Sequence, residues 1–308
     1  MNNYAVQMTL AEAIYGPVVL AKDLTTGAFV AIKQLHLASM AKQESAYEGR
    51  QVQEDNAMER AVYAAFARAG GHINVLNLLA EFEEAGSRHM VLEFCPAGEL
   101  FNVVVDSPAG RFDLARAAHS FRHIVRGAAF MHACGFAHRD ISLENILVDA
   151  HGTCKLIDFG LATPIAAKST DSVGKLFYMA PEVYQCRAYD PAAADMWSLG
   201  IVLFILLVGS PPVESTSVDD DRFRIVHKQG IRGLIALWKI ESLFSPPALE
   251  VLDGLLTVDP ARRLSMAGLL KHLFLQDKII AAPSAVEEPK SNSKWLDKIF
   301  PNRGLKSC

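Results

Sequence analysis

The feature that most constrains how this chain can fold is a series of short sequence motifs in a fixed order. His138-Arg139-Asp140 is followed by Asn145, and Asp158-Phe159-Gly160 begins thirteen residues after that asparagine. The series is completed by VAIK at 30–33, APE at 180–182 and DMWSLG at 195–200. Each motif alone is a weak signal, because a lone aspartate-phenylalanine-glycine is usually a turn and a lone strand lysine is usually a solvated charge. All of them together, in this order, are not explained by chance.

The hydrophobic pattern predicts that the first part of the chain is rich in β-strands. Strand-like runs are predicted at 18–21, 29–32, 75–82 and 89–94. The first two flank a turn at Gly27, which predicts a hairpin. Apolar residues recur with helical spacing over 58–66, whereas residues 34–56 are polar and predict no regular element. We therefore expect a small β-rich lobe, at about residues 1–94, with one main helix.

Helical patterns dominate after residue 98. The longest covers 114–132, and a last helix is predicted from Asp259 to about Leu275. The apolar run at 199–208 is shorter than the roughly 20 residues that span a bilayer, so we interpret it as a buried core helix. The expected architecture is α+β and bilobal, with a larger helical lobe at about 98–275. A polar, flexible C-terminal tail is expected over 276–308.

The motifs and their order resemble the eukaryotic protein kinase superfamily, in its serine/threonine branch, over residues 10–275. This resemblance implies transfer of a phosphoryl group from ATP with Mg²⁺ as cofactor. It places Lys33 at the α- and β-phosphates and assigns Asn145 and Asp158 as the Mg²⁺ ligands. Asp140 is implied to accept a hydrogen bond from the substrate hydroxyl and then its proton.

The resemblance also implies further contacts to the nucleotide. Lys33 requires a carboxylate from the helix of the small lobe; we favour Glu59, and Glu54 is the alternative. The backbone of the connector is expected to bind adenine. The implied nucleotide-site residues are Val18, Ala31, Leu92, Glu93, Cys95 and Glu99, with Leu92 at the back of the pocket and Glu99 near the ribose.

The phosphate-binding loop departs from the family pattern G-x-G-x-x-G-x-V. Residues 10–21 read LAEAIYGPVVLA, so that Ala11 and Ala13 replace the first two glycines and only Gly16 remains. Alanine resists a positive φ, and a strained backbone would weaken nucleotide binding by ~0.5–2 kcal/mol. Tyr15 is expected at the tip. We expect a loop that is impaired but still binds phosphate.

Two other departures lie near the catalytic aspartate. Ser142 stands where serine/threonine kinases usually carry a lysine that neutralises the γ-phosphate, and Lys175 stands where they usually carry a threonine. If the family geometry holds, Lys175 reaches the space left at position 142 and restores the positive charge near Asp140. The alternative is an exposed loop lysine.

Other residues suggest substrate preference and regulation. Glu99 and Glu144 stand where relatives contact basic residues that precede the acceptor, although they are also compatible with a solvated pair of carboxylates. Phosphate added by an upstream activating kinase would pair with Arg139. Its candidate acceptors are Ser169, Thr170 and Ser172, whose alternative explanation is ordinary loop polarity.

Two framework interactions follow from the same resemblance. Glu182 is expected to pair with an arginine of the DPARR stretch, for which Arg263 is the better match. Asp195 is expected to anchor the backbone of the catalytic loop.

Composition limits the remaining possibilities. The net charge of −4 provides no electrostatic footprint for nucleic acid or an anionic membrane, so we expect protein substrates and neither of those partners. The five cysteines are widely spaced and form no C-x-x-C pair, which indicates a reducing compartment, cytoplasmic or nuclear. Because of the altered phosphate loop and Ser142, a pseudokinase that binds or scaffolds without turnover is the main alternative. A small-molecule kinase is disfavoured, because the long segment before Glu182 builds a peptide platform.

Overall fold

The computed structural model describes residues 3–42 and 55–276. The small lobe is built on a five-stranded antiparallel sheet with the strand order β1-β2-β3-β5-β4. The strands are β1 (Tyr4–Ala13), β2 (Gly16–Asp23), β3 (Phe29–His36), β4 (Leu78–Glu84) and β5 (Ser87–Glu93). The sheet and the helical lobe below it confirm the bilobal α+β architecture. The lobe boundaries stay predictions, and residues 277–308 of the predicted tail lie outside the described ranges.

The small lobe differs from the sequence-based prediction at three places. Strand β1 was not predicted, because it is an edge strand with mostly exposed side chains and burial imposes no alternating pattern on it. Strand β4 begins at Leu78, not Val75, since Val75 bridges to Leu156 of the large lobe. A short helix, α1 (Leu37–Lys42), lies within the stretch that was predicted to be irregular.

The main helix of the small lobe is α2 (Asn56–Arg68), where the apolar periodicity predicted a helix. The Asp55 side chain caps its start by accepting hydrogen bonds from the backbone N–H groups of Ala57 and Met58. The Asp55 N–H donates to the carbonyl of Gly160, at 2.9 Å. The first turn of α2 is therefore attached to the Asp-Phe-Gly motif.

The large lobe is mostly helical. Its helices are α3 (Leu100–Val105), α4 (Leu114–Ala133), α5 (Pro181–Tyr184), α6 (Pro191–Val208), α7 (Asp221–Trp238), α8 (Pro246–Leu255) and α9 (Met266–Lys271). Two short antiparallel strand pairs flank the catalytic motifs. They are β6 (Phe136–Ala137) with β9 (Thr163–Pro164), and β7 (Ile146–Val148) with β8 (Cys154–Leu156). The catalytic motifs thus lie on loops at strand ends, facing the small lobe.

Helix α6 is the core of the large lobe. Within the described ranges it is the one helix long and apolar enough to span a membrane, yet 83% of that apolar stretch is buried inside the protein. Side chains from α4, α8 and the end of α7 cover it. The interpretation of 199–208 as part of a buried core helix is confirmed.

The prediction of one helix from Asp259 to Leu275 was wrong. Residues 259–264 form turns, and α9 starts only after Ser265, which caps it through the N–H of Gly268. A 3-10 turn, Leu273–Leu275, follows. The turns hold Arg263 where its guanidinium reaches Glu182, at 2.6 Å, and that tertiary contact overrides local helical periodicity.

Candidate active site

Lys33 and Glu59 form the ion pair that joins β3 to α2. The Lys33 ammonium lies 2.9 and 3.0 Å from the two carboxylate oxygens of Glu59. The Glu59 residue is only 3% exposed, so the pair is screened from water. Glu54, the alternative partner, lies outside the described residues. With α2 in this position, the Lys33 charge is oriented toward the cleft between the lobes.

An aromatic column connects α2 to the catalytic loop. Phe159 is fully buried and packs edge-to-face against Tyr63 of α2, with ring centroids 5.3 Å apart. On its other side the ring of His138 lies 5.5 Å away. The preceding Asp158 has a φ of 63°, an uncommon value for a residue other than glycine. This backbone turn buries the phenylalanine while its neighbouring carboxylate stays at the cleft.

Asp195 anchors the catalytic loop from below. One carboxylate oxygen accepts the N–H of His138 and the other the N–H of Arg139, both at 2.8 Å. His132 contributes a further contact at 2.7 Å. These contacts stabilise Arg139 at its φ of 65°, and they agree with the framework role expected for Asp195.

Asp140 is held by contacts on both carboxylate oxygens. Oδ2 accepts from the side-chain amide of Asn145 at 2.6 Å and from the Lys175 ammonium at 2.8 Å. Oδ1 accepts from the backbone N–H of Lys175 at 3.0 Å. A carboxylate offers about four acceptor positions. One position on Oδ1 is therefore left for a substrate hydroxyl.

Lys175 lies in the space expected for the missing lysine. Its ammonium contacts the hydroxyl of Ser142 at 3.1 Å as well as the Asp140 carboxylate. Ser142 is fully buried, whereas the Lys175 side chain is 37% exposed and opens toward the cleft. These contacts are inconsistent with the alternative, in which Lys175 is an exposed loop lysine. A catalytic role for Lys175 stays a prediction.

The residues that would hold Mg²⁺ have a suitable donor set. Asn145 uses its side-chain N–H groups on Asp140, which leaves its amide oxygen for a cation. Among residues 3–42 and 55–276, no group donates a hydrogen bond to the carboxylate of Asp158. An amide oxygen and a carboxylate are ligands that Mg²⁺ prefers. Asn145 and Asp158 therefore fit the ion.

The connector after β5 offers backbone groups to a nucleotide base. Within the described part of the chain, the N–H of Cys95 donates to no acceptor. The Cys95 side chain is buried, and burial raises the pKa of its thiol to about 12, so its role is packing. The carboxylate of Glu93 is structural, since it accepts from the N–H of Asn77 and pairs with Lys155. Leu92, near the end of β5, is buried, and its place at the back of the nucleotide pocket stays a prediction.

The phosphate loop is a tight hairpin. Strands β1 and β2 pair as far as Ala13 and Gly16, so that only Ile14 and Tyr15 form the turn. Tyr15 lies in this turn, at the tip of the hairpin as predicted; it is 1% exposed, and its carbonyl accepts the N–H of His36. The Tyr15 ring packs into the main hydrophobic core, where burial of its apolar surface is favourable.

Glycine is required at one position of this hairpin. Gly16 has a φ of 150°, and a Cβ there would lie 2.5 Å from the carbonyl oxygen of Gln34. Ala11 and Ala13 are not among the residues with positive φ, so neither is strained. The backbone strain that would have lowered nucleotide affinity is therefore absent at these two positions. Both alanines are compatible with the strand.

We predict that Ala11→Gly/Ala13→Gly changes stability more than nucleotide affinity. Each glycine adds backbone entropy to the unfolded chain, which costs about 0.5–1 kcal/mol in a strand. The free energy of unfolding should fall by about 1–2 kcal/mol, while the Kd for ATP stays within about threefold. Urea denaturation and calorimetric titration measure the two quantities. A tenfold gain in ATP affinity would contradict the prediction.

The geometry agrees with comparisons to known proteins. The family model described as protein kinase domain matches residues 4–275. The chain belongs to the protein kinase family.

Several kinases are similar to this chain. Maternal embryonic leucine zipper kinase of Xenopus tropicalis is 34% identical over 279 residues, which cover 89% of this chain and 39% of that protein. CBL-interacting protein kinase 1 of Oryza sativa subsp. japonica is 28% identical over 306 residues, with coverages of 98% and 61%. Serine/threonine-protein kinase chk1 of Schizosaccharomyces pombe is 35% identical over 210 residues, with coverages of 67% and 41%. The chain thus spans 39–61% of the length of these three relatives.

The kinase motifs also create a groove beside the catalytic loop. It lies between α3 and the segment that leads to Glu182, and it is lined by Phe101, Val104, Glu144, Phe177, Tyr178 and Ile205. One carboxylate oxygen of Glu144 is buried there without a hydrogen-bond partner in the described part of the chain. Burial, and then the nearby charge of Glu144, raise the pKa of Glu99. The groove therefore combines apolar walls with the Glu144 carboxylate, and Glu99 lies close enough to interact with that charge.

Two residues of the kinase site were missed by sequence reasoning. Tyr63 lies one helical turn after Glu59, and that spacing was a usable signal. Asp171 pairs with Arg139 at 2.9 Å; it stands between the candidate phosphorylation sites, where its charge was overlooked. Both act through packing or pairing with motif residues, which a motif search does not examine.

Proposed function

We propose that this kinase domain transfers the γ-phosphoryl group of ATP to serine or threonine hydroxyls of protein substrates, with Mg²⁺ held by Asn145 and Asp158. The observation that carries the proposal is the environment of Asp140. Its carboxylate is fixed by Asn145 and Lys175 and keeps one acceptor position open. Mg²⁺, when bound, neutralises charge on the phosphate oxygens. Asp140 orients the attacking hydroxyl and accepts its proton.

The lysines supply the other charges. Lys33, oriented by Glu59, would bind the α- and β-phosphates. The Lys175 ammonium, at Asp140 and Ser142, would stabilise charge on the transferred group as it develops. Both cations are held by carboxylates before the substrate binds. Such preorganisation lowers the barrier, because no charge has to be moved into place during the reaction.

Transfer of labelled phosphate from ATP–Mg²⁺ to a generic basic protein tests the activity. We expect turnover by the wild type, loss of turnover in Asp140→Asn and Asp158→Ala, and phosphoserine or phosphothreonine in the product. A wild type that binds nucleotide but matches both variants would favour the scaffold reading. Phosphotyrosine as the product would contradict the acceptor class.

We also propose a preference for substrates with basic residues before the acceptor. The apolar walls of the groove beside Glu144 fit the aliphatic stem of an arginine, and the negative charge of the Glu144 carboxylate in the lining would attract the guanidinium. Glu99 adds a second carboxylate nearby, since the charge of Glu144 contributes to raising its pKa. The name of one relative, serine/threonine-protein kinase chk1, specifies the acceptor, which supports the acceptor class but not this preference.

Paired peptides test this preference. With arginine or alanine two or three residues before the serine, kcat/KM should differ by about tenfold or more, because a hydrogen bond to a charged group is worth about 1.5–3 kcal/mol. Glu144→Gln should reduce the difference, and Glu250→Gln, an exposed glutamate on α8, should not. Equal rates on both peptides would remove the preference and leave the phosphoryl transfer untouched.

A reducing compartment, cytoplasmic or nuclear, remains our proposal for the location. The cysteines in the described ranges are free thiols, namely Cys95, Cys134, Cys154 and Cys186. Imaging of the tagged protein in cells tests it, and a signal confined to a secretory compartment would contradict it.

A further inference from the structure

The Arg139 side chain is engaged by an acidic residue of this same chain. Its guanidinium lies 2.9 Å from the Asp171 carboxylate and 3.1 Å from the Ser169 hydroxyl, and its Nε donates to the carbonyl of Leu161 at 2.6 Å. The Arg139 side chain is only 11% exposed. Hydrogen bonds from Arg139 and Ser169 lower the pKa of Asp171. The cation that an activating phosphate would neutralise therefore already faces a carboxylate.

Backbone contacts fix Asp171 in this position. Ser169 and Tyr189 exchange two backbone hydrogen bonds, at 3.1 and 2.9 Å. The Tyr189 hydroxyl donates to the Asp171 carbonyl at 2.9 Å. The Ser169 hydroxyl donates to the Asp171 carboxylate at 3.0 Å, and Ser169 is only 9% exposed. A phosphate on Ser169 would therefore displace the pair of Arg139 with Asp171. Thr170, by contrast, is exposed.

The same stretch carries Lys175, four residues further on, to the catalytic aspartate. Gly174 passes directly against the catalytic loop, because a Cβ there would lie 2.5 Å from the Arg139 carbonyl oxygen. The next residue places both its N–H and its ammonium on Asp140. The two attachments, Asp171 on Arg139 and Lys175 on Asp140, thus hold residues 171–175 to adjacent positions of one loop.

We propose that Asp171 is a positioning residue that fixes residues 169–175 on Arg139 without phosphorylation, so that Lys175 is delivered to Asp140. In a kinase that carries this lysine on the catalytic loop, the charge would be present whatever the segment does. Here the charge belongs to the segment, and its placement depends on the Asp171–Arg139 pair. The proposal rests on the proposed phosphoryl transfer for its catalytic consequence, but not for its structural one.

Hydrogen exchange of the full chain tests the structural part. Protein treated with phosphatase, with its mass verified, is compared as wild type, Asp171→Asn, Asp171→Glu and Thr170→Ala. We expect faster exchange of amides 169–175 in Asp171→Asn only, since the glutamate restores the charge and Thr170 makes no part of the pair. Equal exchange in wild type and Asp171→Asn would overturn the proposal. So would protection that appears only after phosphorylation of Thr170 or Ser172.

Kinetics tests the catalytic part. Asp171→Asn should lower kcat about three- to tenfold, the value of a charged hydrogen bond discounted for exposure, and leave the KM for ATP unchanged. In a Lys175→Met background, Asp171→Asn should have no further effect on kcat, because the loss of Asp171 lowers kcat only by misplacing Lys175. If the losses in kcat from the two substitutions were additive, Asp171 would not act through Lys175. If the wild type shows no turnover but its exchange protection depends on Asp171, the phosphoryl transfer fails while the positioning role stands.

Discussion

Lys175→Met is expected to lower kcat by about 100- to 1000-fold, the cost of removing one preorganised electrostatic group from a reaction centre. Its ammonium is 2.8 Å from Asp140 and 3.1 Å from Ser142. Methionine keeps the length of the side chain but not its charge. The KM for ATP should change by less than about threefold, because Lys33 and the connector are unaffected. Single-turnover kinetics with a serine peptide measures the chemical step.

The double variant Ser142→Lys/Lys175→Thr is the matched control for this prediction. It moves the positive charge from the segment to the catalytic loop and introduces the residue types expected from the family pattern. If the charge is what matters, it should recover most of the activity lost in Lys175→Thr. A Lys175→Thr enzyme with the full kcat of the wild type would contradict the role of the lysine.

Arg263→Met is expected to reduce the free energy of unfolding by about 3–5 kcal/mol, the cost of leaving a buried charge without its partner. The guanidinium forms a two-pronged contact with Glu182, at 2.6 and 2.9 Å. It also donates to the backbone carbonyls of Ala193, Thr257 and Val258. The Arg263 side chain is 1% exposed, so water cannot replace these contacts. Urea denaturation measures the change through the midpoint at constant slope.

Arg232→Met provides the comparison on the surface. Arg232 pairs with Asp253 on α8, but about half of its side chain is exposed, so the same substitution should cost less than about 1 kcal/mol. Glu182→Met/Arg263→Met should recover part of the loss, since it leaves no unpaired charge in the core. A loss below 1 kcal/mol in Arg263→Met would show that the pair does not stabilise the large lobe.

Local periodicity was sufficient for the main helix of the small lobe, and the family resemblance of the motifs was sufficient for two ion pairs between distant parts of the chain. The periodicity of 58–66 predicted α2, and the motif order predicted the pairing of Lys33 with Glu59 and of Glu182 with Arg263. Periodicity failed for β1, which is exposed on an edge, and at 259–264, where the contact of Arg263 with Glu182 replaces a helix with turns. In both places long-range packing, not local propensity, decides the backbone.

The phosphate loop shows the same division. From the sequence alone, two missing glycines suggested strain. The tertiary structure shows that a Cβ on Gly16 would collide with the backbone of Gln34, whereas Ala11 and Ala13 are outside the positive-φ region. The requirement for glycine depends on φ and on the neighbouring strand, and neither is written in a motif.

By itself, the sequence determined the kinase family, the α+β class and the identity of the groups that meet at the cleft, because each motif encodes a side-chain type at a fixed chain distance. The tertiary structure decided the contacts that the sequence had left open, such as that of Lys175, or had not indicated, such as that of Asp171. It brought Lys175 to Asp140 and Asp171 to Arg139, across 35 and 32 residues of chain. Such pairs follow from how the segment folds back on the catalytic loop, and charge complementarity alone does not select among the many carboxylates and cations of the chain.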